Sequence, residues 1–216
     1  NLQDMESFFA HTGETLDNAG EYPESDTVDL YDEEIAAHIE QTAGAIDGVL
    51  HDLSPETLRV HLYHVAAASP PCQLLITSGM SSLPMPFPDG EERRAELVMA
   101  LPPEWDVQAE DAASAWPAQW LRILARLPHE QQAWLDYGHT VTFNEDATQT
   151  LPGTPFTALL VLPPRGLPPA FAEMETGDGE TVRFYALMPL YPAEFALEER
   201  EGMEALLARF DEYGID

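Results

Sequence analysis

Two apolar runs dominate the hydrophobic pattern of the chain. Residues 73–77 read as a short buried strand, turned by Ser78-Gly79. Residues 95–101 read as a second strand, stopped by Pro102-Pro103. Between the two, Pro84, Pro86 and Pro88 are expected to keep the backbone out of regular structure. Upstream, Ile35, Ile39, Thr42, Ala43 and Ile46 fall on one face of a 3.6-residue repeat. A helix is therefore predicted over 31–46, with Gly44 and Gly48 placed where it should end. Residues 49–65 satisfy two patterns at once. Ser54-Pro55-Glu56 is a helix start, and Leu58, Leu62 and Val65 fit a helix face. Yet Leu58, Val60 and Leu62 also alternate, and Val60, Tyr63 and Val65 favour strands.

Further along, Trp116, Trp120, Ile123, Leu124 and Leu127 repeat as one apolar helical face. Pro117 marks a start for that helix and Pro128 an end. A short helix carrying Trp134 and Leu135, closed by Gly138, is expected next. Residues 140–143, 156–162 and 181–188 read as strands. Pro163-Pro164 and Pro168-Pro169 bracket a loop, and Gly177-Asp178-Gly179 is a turn. Residues 198–213 read as a closing helix with Met203, Leu206, Leu207 and Phe210 inward and Gly214 as its cap. Strands broken by a few helices, without regular alternation, predict an α+β fold. The connections around residues 73–101 are too short for helical crossovers. The expected architecture is a single domain whose mixed, largely antiparallel sheet is covered by helices. No internal repeat and no linker divides it.

Charge changes the picture most. Thirty-nine Asp and Glu face nine Arg and no Lys, a formal net charge of −30. The first 58 residues hold fifteen acids and no arginine. Residues 1–29 read as an acidic, partly mobile segment ahead of a domain spanning 30–216, with little to bury between Gly20 and Asp29. Such a surface repels nucleic acid and anionic membranes and attracts basic proteins. Solubility alone is the alternative reading of the same charge. The acidic cluster Asp26, Asp29, Asp32, Glu33 and Glu34 is the predicted partner-binding surface. The absence of lysine removes Schiff-base chemistry and the P-loop lysine. No run of eighteen apolar residues spans a membrane. The chain opens on Asn1-Leu2-Gln3-Asp4, without an initiating Met or the basic and apolar stretches of a signal peptide. A trimmed N-terminus and a cytoplasmic location are expected. A lone cysteine, Cys72, excludes an internal disulfide.

Candidate chemistry is sparse. Residues 77–81 lack the Gly-x-Ser-x-Gly elbow of a hydrolase, so Ser78 and Ser81 read as turn residues. Cys72, beside Pro70-Pro71, reads as a half-buried inert thiol. His51, Asp52, His61 and His64 cluster in sequence and form the best enzymatic alternative, a metal site using His51, Asp52 and His61. On a strand, however, His61 and His64 point to opposite faces and cannot share an ion. The acids of 17–34 lack the calcium-loop spacing. No catalytic residue, cofactor or metal is therefore expected. Trp105, Trp116, Trp120 and Trp134 read as core, and any that is exposed would mark a partner surface.

The text Leu74-Leu-Ile-Thr-Ser-Gly-Met-Ser-Ser-Leu-Pro-Met85, with Ala95-Glu-Leu-Val-Met-Ala-Leu-Pro-Pro-Glu-Trp105, resembles the Suppressor of fused family in its short bacterial form. The likeness continues through Phe184-Tyr-Ala-Leu-Met-Pro-Leu-Tyr191 and Gly202-Met-Glu-Ala-Leu-Leu-Ala-Arg-Phe210. It covers roughly residues 30–215. The resemblance implies two strands in 49–65, the first ending in the pair His51-Asp52. It also implies a carboxylate where this chain has Tyr63, a departure that weakens the metal reading. Animal members carry an additional C-terminal region and bind zinc-finger transcription factors of the Hedgehog pathway. This chain ends where the first domain should end, so that activity is not expected. Short bacterial members are associated with polymorphic toxin systems and proposed as immunity proteins. The resemblance thus implies a non-enzymatic protein that binds a basic toxin domain, or else a general protein-interaction module. Nuclease toxins are commonly basic because they hold phosphates.

Overall fold

Apolar runs too continuous for one-sided strands build the centre of the molecule. The computed structural model describes residues 30–53, 58–109, 111–145 and 148–213. Ser54, Pro55 and Glu56, Asp26 and Asp29, the segment 1–29 and the Gly214 cap lie outside the described residues. Nine strands are described: β1 Gly48–Leu50, β2 His61–Ala68, β3 Pro71–Ser78, β4 Met85–Pro86, β5 Glu92–Leu101, β6 Thr140–Thr142, β7 Ala158–Leu162, β8 Glu173–Glu175 and β9 Thr181–Leu190. They form one sheet in the order β1-β2-β3-β5-β9-β7-β6, with β4 added to β5 and β8 to β9. Every pairing is antiparallel except β5 with β9, where Leu97 lies beside Tyr185. The α-helices among the described residues are α1 Asp32–Thr42, α2 Ala112–Gln131, α3 Pro192–Glu201 and α4 Met203–Tyr213. The expected α+β architecture is the observed one.

Alternation along the strands sorts the side chains between two faces. Leu62, Leu75, Leu97, Met99, Leu159, Val161 and Leu187 pack on one face with Trp116, Trp120, Leu121 and Leu124 of α2. On the other, Tyr63, Val65, Leu74, Ile76, Val98 and Phe184 pack with Ile35 and Ile39 of α1. Ala158, Leu160, Leu162 and Leu190 meet Phe195 of α3 and Leu206 and Phe210 of α4. A strand buried on both faces reads as an unbroken apolar run, which is why β3, β5 and β7 were visible in the sequence. The two expected strands of 49–65 are present as antiparallel neighbours, β1 and β2, with Val49 opposite Tyr63; part of the connection between them lies outside the described residues.

Several boundaries differ from the sequence-based expectation. The first helix stops at Thr42 and Gly44 turns away with φ +135°, so Ile46 is not on it. Helix α2 begins at Asp111, whose carboxylate accepts from the N–H groups of Ala113 and Ser114 at 3.1 Å. Pro117 and Pro128 both lie inside this helix. An interior proline costs about 3 kcal/mol, and the buried Trp116–Leu124 stripe offsets it. No helix forms around Trp134. There Gly138 N–H donates to Val161 O and His139 O accepts from Val161 N–H, so the sheet takes the bonds a helix would need. The final helix is two helices, α3 and α4, broken at Gly202 with φ +87°. Strands β4 and β8 were not expected. Both are short additions to long neighbours, too brief for a periodic signal.

One buried carboxylate fastens the turn after β3. Glu96, in the middle of β5, is fully buried. Its Oε1 accepts from Gly79 N–H at 3.1 Å, Ser81 N–H at 2.9 Å and Ser81 Oγ–H at 2.6 Å. Its Oε2 accepts from Thr77 Oγ–H at 2.5 Å, and Thr77 Oγ in turn accepts from Leu97 N–H at 2.7 Å. Burial pushes the Glu96 carboxyl up, and the Ser81, Thr77 and Gly79 donors pull against it; the net shift is upward. Gly79 sits at φ +124°, and a Cβ there would lie 2.1 Å from Arg59 O.

Gly79→Val should therefore destabilise by about 3 kcal/mol or more, combining φ strain with an overpacked contact. An unchanged urea midpoint would contradict this. Glu96→Ala strands two buried N–H donors and should cost about 3 kcal/mol or more. Glu96→Gln keeps the shape but cannot ionise. Because the native carboxyl holds its proton more tightly than the unfolded chain does, its contribution is greatest at low pH. It is lost as pH rises through the native value. The stability of the natural chain relative to Glu96→Gln should fall from about pH 4 upward, as measured by denaturation at several pH values.

Candidate protein-binding surface

The histidine cluster resolves into structural contacts. Arg122 and Arg126 lie one turn apart on α2 and face the link between β1 and β2. Arg126 pairs with Asp52, both side chains nearly buried, and its Nε–H donates to Leu58 O at 3.1 Å. The same Asp52 oxygen accepts from Val60 N–H at 2.9 Å. Arg122 donates to Leu50 O at 2.9 Å and Val60 O at 3.2 Å. Burial pushes the Arg122 guanidinium down, with Asp52 pulling it back. His61 accepts from Asp52 N–H through Nδ1 at 3.0 Å, and its ring meets His51 edge-on at 5.2 Å. His64 instead bonds Gln73 at 2.6 Å. So His51, Asp52 and His61 are brought together, but the carboxylate is engaged by an arginine rather than left for a metal. Among the described residues, no group of three His, Cys, Asp or Glu side chains is arranged to hold an ion.

Ser78 is the last residue of β3 rather than a turn residue and donates to Asp32, whereas Ser81 lies in the single helical turn Met80–Ser82 and donates to Glu96. Cys72 is half-buried, and burial pushes its thiol up, away from the reactive form. Among the described acids of the predicted surface, Asp32 turns inward: Oδ1 accepts from Tyr63 Oη at 2.8 Å and Ser78 Oγ at 2.6 Å. Glu34 accepts from Gly177 N–H at 2.8 Å while staying exposed. Glu33 is exposed. Asp32 thus fixes α1 to the sheet, a role its charge run concealed.

The four tryptophans divide. Trp116 and Trp120 are core. Trp105 is half-buried and donates to Ser114 O at 3.2 Å. Trp134 is 37% exposed. It belongs to the turn 133–139, which crosses the α2 face of the sheet beyond the end of that helix. Tyr137 on the same turn is 38% exposed and stands edge-on over the buried Tyr185 at 5.0 Å. Burial, with Asp136 adding, pushes the Tyr185 phenol up to about 12. Trp134 packs between Phe87 at 6.3 Å and His139 at 6.0 Å. Carboxylates flank the turn: Asp136 lies on it, Asp89 and Glu91 share Arg93 with Asp136, and Glu173 is near enough to Tyr137 to add to burial in pushing its phenol up. The two arginines among them, Arg93 and Arg183, are already paired to those acids. The result is an aromatic centre in an acidic rim. Tyr137 is not singled out by the sequence, where it falls just before Gly138 at the end of the helix expected around Trp134.

An α+β domain on one mixed sheet, carrying an exposed aromatic turn, is the class these features define. The sequence matches the family of Suppressor of fused protein over residues 54–216, and the chain belongs to that family. The crystal structure of the Sufu–Fu complex is similar over 82% of this chain and 82% of that one, at 18% identity and a TM-score of 0.57. The crystal structure of Drosophila Suppressor of Fused matches 70% of this chain and 38% of that one, at 19% identity and a TM-score of 0.48. At such identities the likeness is one of fold. No curated protein matches the sequence. Helix α1 precedes the matched span, yet it closes one face of the sheet through Ile35 and Ile39.

Arg126→Met leaves Asp52 buried without its cation and should cost about 3–5 kcal/mol. Combining it with Asp52→Asn should recover part of that loss in a double-mutant cycle. Additive losses would show that the pair is not coupled.

Proposed function

We propose that this chain is a non-enzymatic protein-binding domain that neutralises a basic toxin domain. The observation that carries this reading is the aromatic turn of Trp134 and Tyr137 inside its acidic rim. Exposed aromatics of this kind supply the buried anchors of protein interfaces. The surrounding carboxylates select a positively charged partner and repel acidic ones. Membership of the family supports a binding role, and the Sufu–Fu complex shows a protein of this fold engaged with another protein. The toxin assignment rests on the resemblance to short bacterial members and on a net charge of −30. The arginines described above point to neighbouring acids or backbone carbonyls, and nine arginines against thirty-nine acids leave the outward field negative. No helix among the described residues is long and apolar enough to cross a membrane.

A general interaction module, with charge serving solubility, is the second reading, and salt separates the two. With a toxin domain encoded beside this chain as ligand, association should be fast at low salt, up to about 10⁸ M⁻¹s⁻¹. It should slow steeply towards 1 M salt, where the Debye length is about 3 Å. Trp134→Ala should weaken affinity by about 2 kcal/mol, mainly through faster dissociation. Neutralising Asp26, Asp29 and Glu33 together should lower the low-salt on-rate. Asp32 and Glu34 are best left intact because they hold Ser78 and Gly177. An on-rate insensitive to salt and to these substitutions would replace this reading with the second.

A further inference from the structure

We infer that Arg93 is the positioning residue of the aromatic turn. It rises from β5 with its side chain three-quarters buried. The central carbon of its guanidinium lies over the Phe87 ring, 4.0 Å from the centroid. One terminal nitrogen reaches Asp89 at 2.5 Å and Glu91 at 3.3 Å, on the hairpin between β4 and β5. The other faces Asp136 of the aromatic turn at 3.7 Å. Phe87, held under the cation, is also the ring against which Trp134 packs. A single side chain therefore ties two loops together twice, by charge through Asp136 and by packing through Phe87.

Only a planar, forked cation can stack on a ring and reach carboxylates from both terminal nitrogens. Stacking contributes more when the cation is partly desolvated, as it is here. Without Arg93, three carboxylates from two loops would face one another with no cation between them. Repulsion would then move the weaker-held segment. That segment is the turn, where Ala133 N–H donates back to Pro128 O of α2 at 2.9 Å, and beyond it Tyr137 N–H donates to Asp136 Oδ1 at 2.9 Å, Gly138 N–H to Val161 O at 2.8 Å and His139 N–H to Asp136 O at 3.1 Å. The turn's width and the angle between Trp134 and Tyr137 follow from this tie. Its bearing on recognition rests on the proposed binding role of the turn; its bearing on the loop does not.

The test is amide hydrogen exchange on the full chain at low salt, comparing the natural protein with Arg93→Gln, Arg93→Lys and Arg93→Gln with Asp136→Asn. Arg93→Gln should raise exchange at Gly138 and His139 by roughly tenfold, while amides at the centres of β3 and β7 stay unchanged. Adding Asp136→Asn should remove part of that rise, because the repulsion is relieved. Arg93→Lys, which keeps charge but not the fork, should fall between. Unchanged exchange in Arg93→Gln, or an equal rise throughout the sheet, overturns the inference. Partner binding is measured on the same variants. If the turn loosens and affinity is unaltered, Arg93 keeps its positioning role and the proposed binding surface falls. If Trp134→Ala abolishes binding while Arg93→Gln changes neither exchange nor affinity, the surface stands and Arg93 is not its support.

Discussion

A carboxylate without access to water organises this fold. Glu96 lies in the central part of β5, where its neighbours Ala95, Leu97 and Val98 are all buried. A charge or carboxyl at such a place is strongly disfavoured unless its oxygens are matched by donors. The matching donors come from a single stretch, Thr77 to Ser81, at the end of β3 and in the turn that follows. The turn must therefore fold back onto β5, and only glycine at position 79 permits the approach to Arg59 O. Arg94, the residue two before, completes the clamp by donating to Ser81 O at 2.8 Å and Ser82 O at 3.2 Å. Ser78, on the opposite side of the strand from Thr77 and Glu96, donates to Asp32 and carries the constraint through to α1. Two faces of the sheet are thus fixed through one turn.

The scarcity of positive charge gives each arginine weight. Arg122 and Arg126 hold the link between the first two strands to α2. Arg94 holds the Glu96 turn, and Arg93 holds the aromatic turn. Arginine suits all four places because its donors are numerous, planar and fixed in direction. Arg165, Arg183, Arg200 and Arg209 pair with exposed acids instead, but with thirty-nine acids to nine arginines the field outside stays negative.

Much of the candidate surface was hidden from the sequence for physical reasons. Trp134 lies four residues after Glu130 in a segment that continues the helical pattern, so it read as a short helix with a buried ring. Its exposure depends on His139 and Gly138 pairing with Val161, a partner more than twenty positions away. Asp32 looked like one more solvated acid in an acidic run. Its inward turn depends on Tyr63 and Ser78, which only the sheet brings alongside. Asp52 and His61 did end up adjacent, as a hairpin implied, but Arg126, seventy-four positions from Asp52, decided what the carboxylate does.

The sequence by itself determined which segments are strands in the centre of the sheet, that the fold is α+β, and that the surface is acidic. These follow from local periodicity, turn chemistry and composition, which need no knowledge of distant residues. The family text was legible for the same reason: the Thr-Ser-Gly-Met turn and the buried Glu96 strand are short, local and constrained. Tertiary structure alone decided that β5 and β9 run parallel, that α2 passes through two prolines, that the closing helix breaks at Gly202, and that an aromatic turn faces outward in an acidic rim. Each of those outcomes is a balance between a local preference and burial or pairing with residues far along the chain. Local preferences of about 1–3 kcal/mol yield to such burial, and the sequence records only the preference.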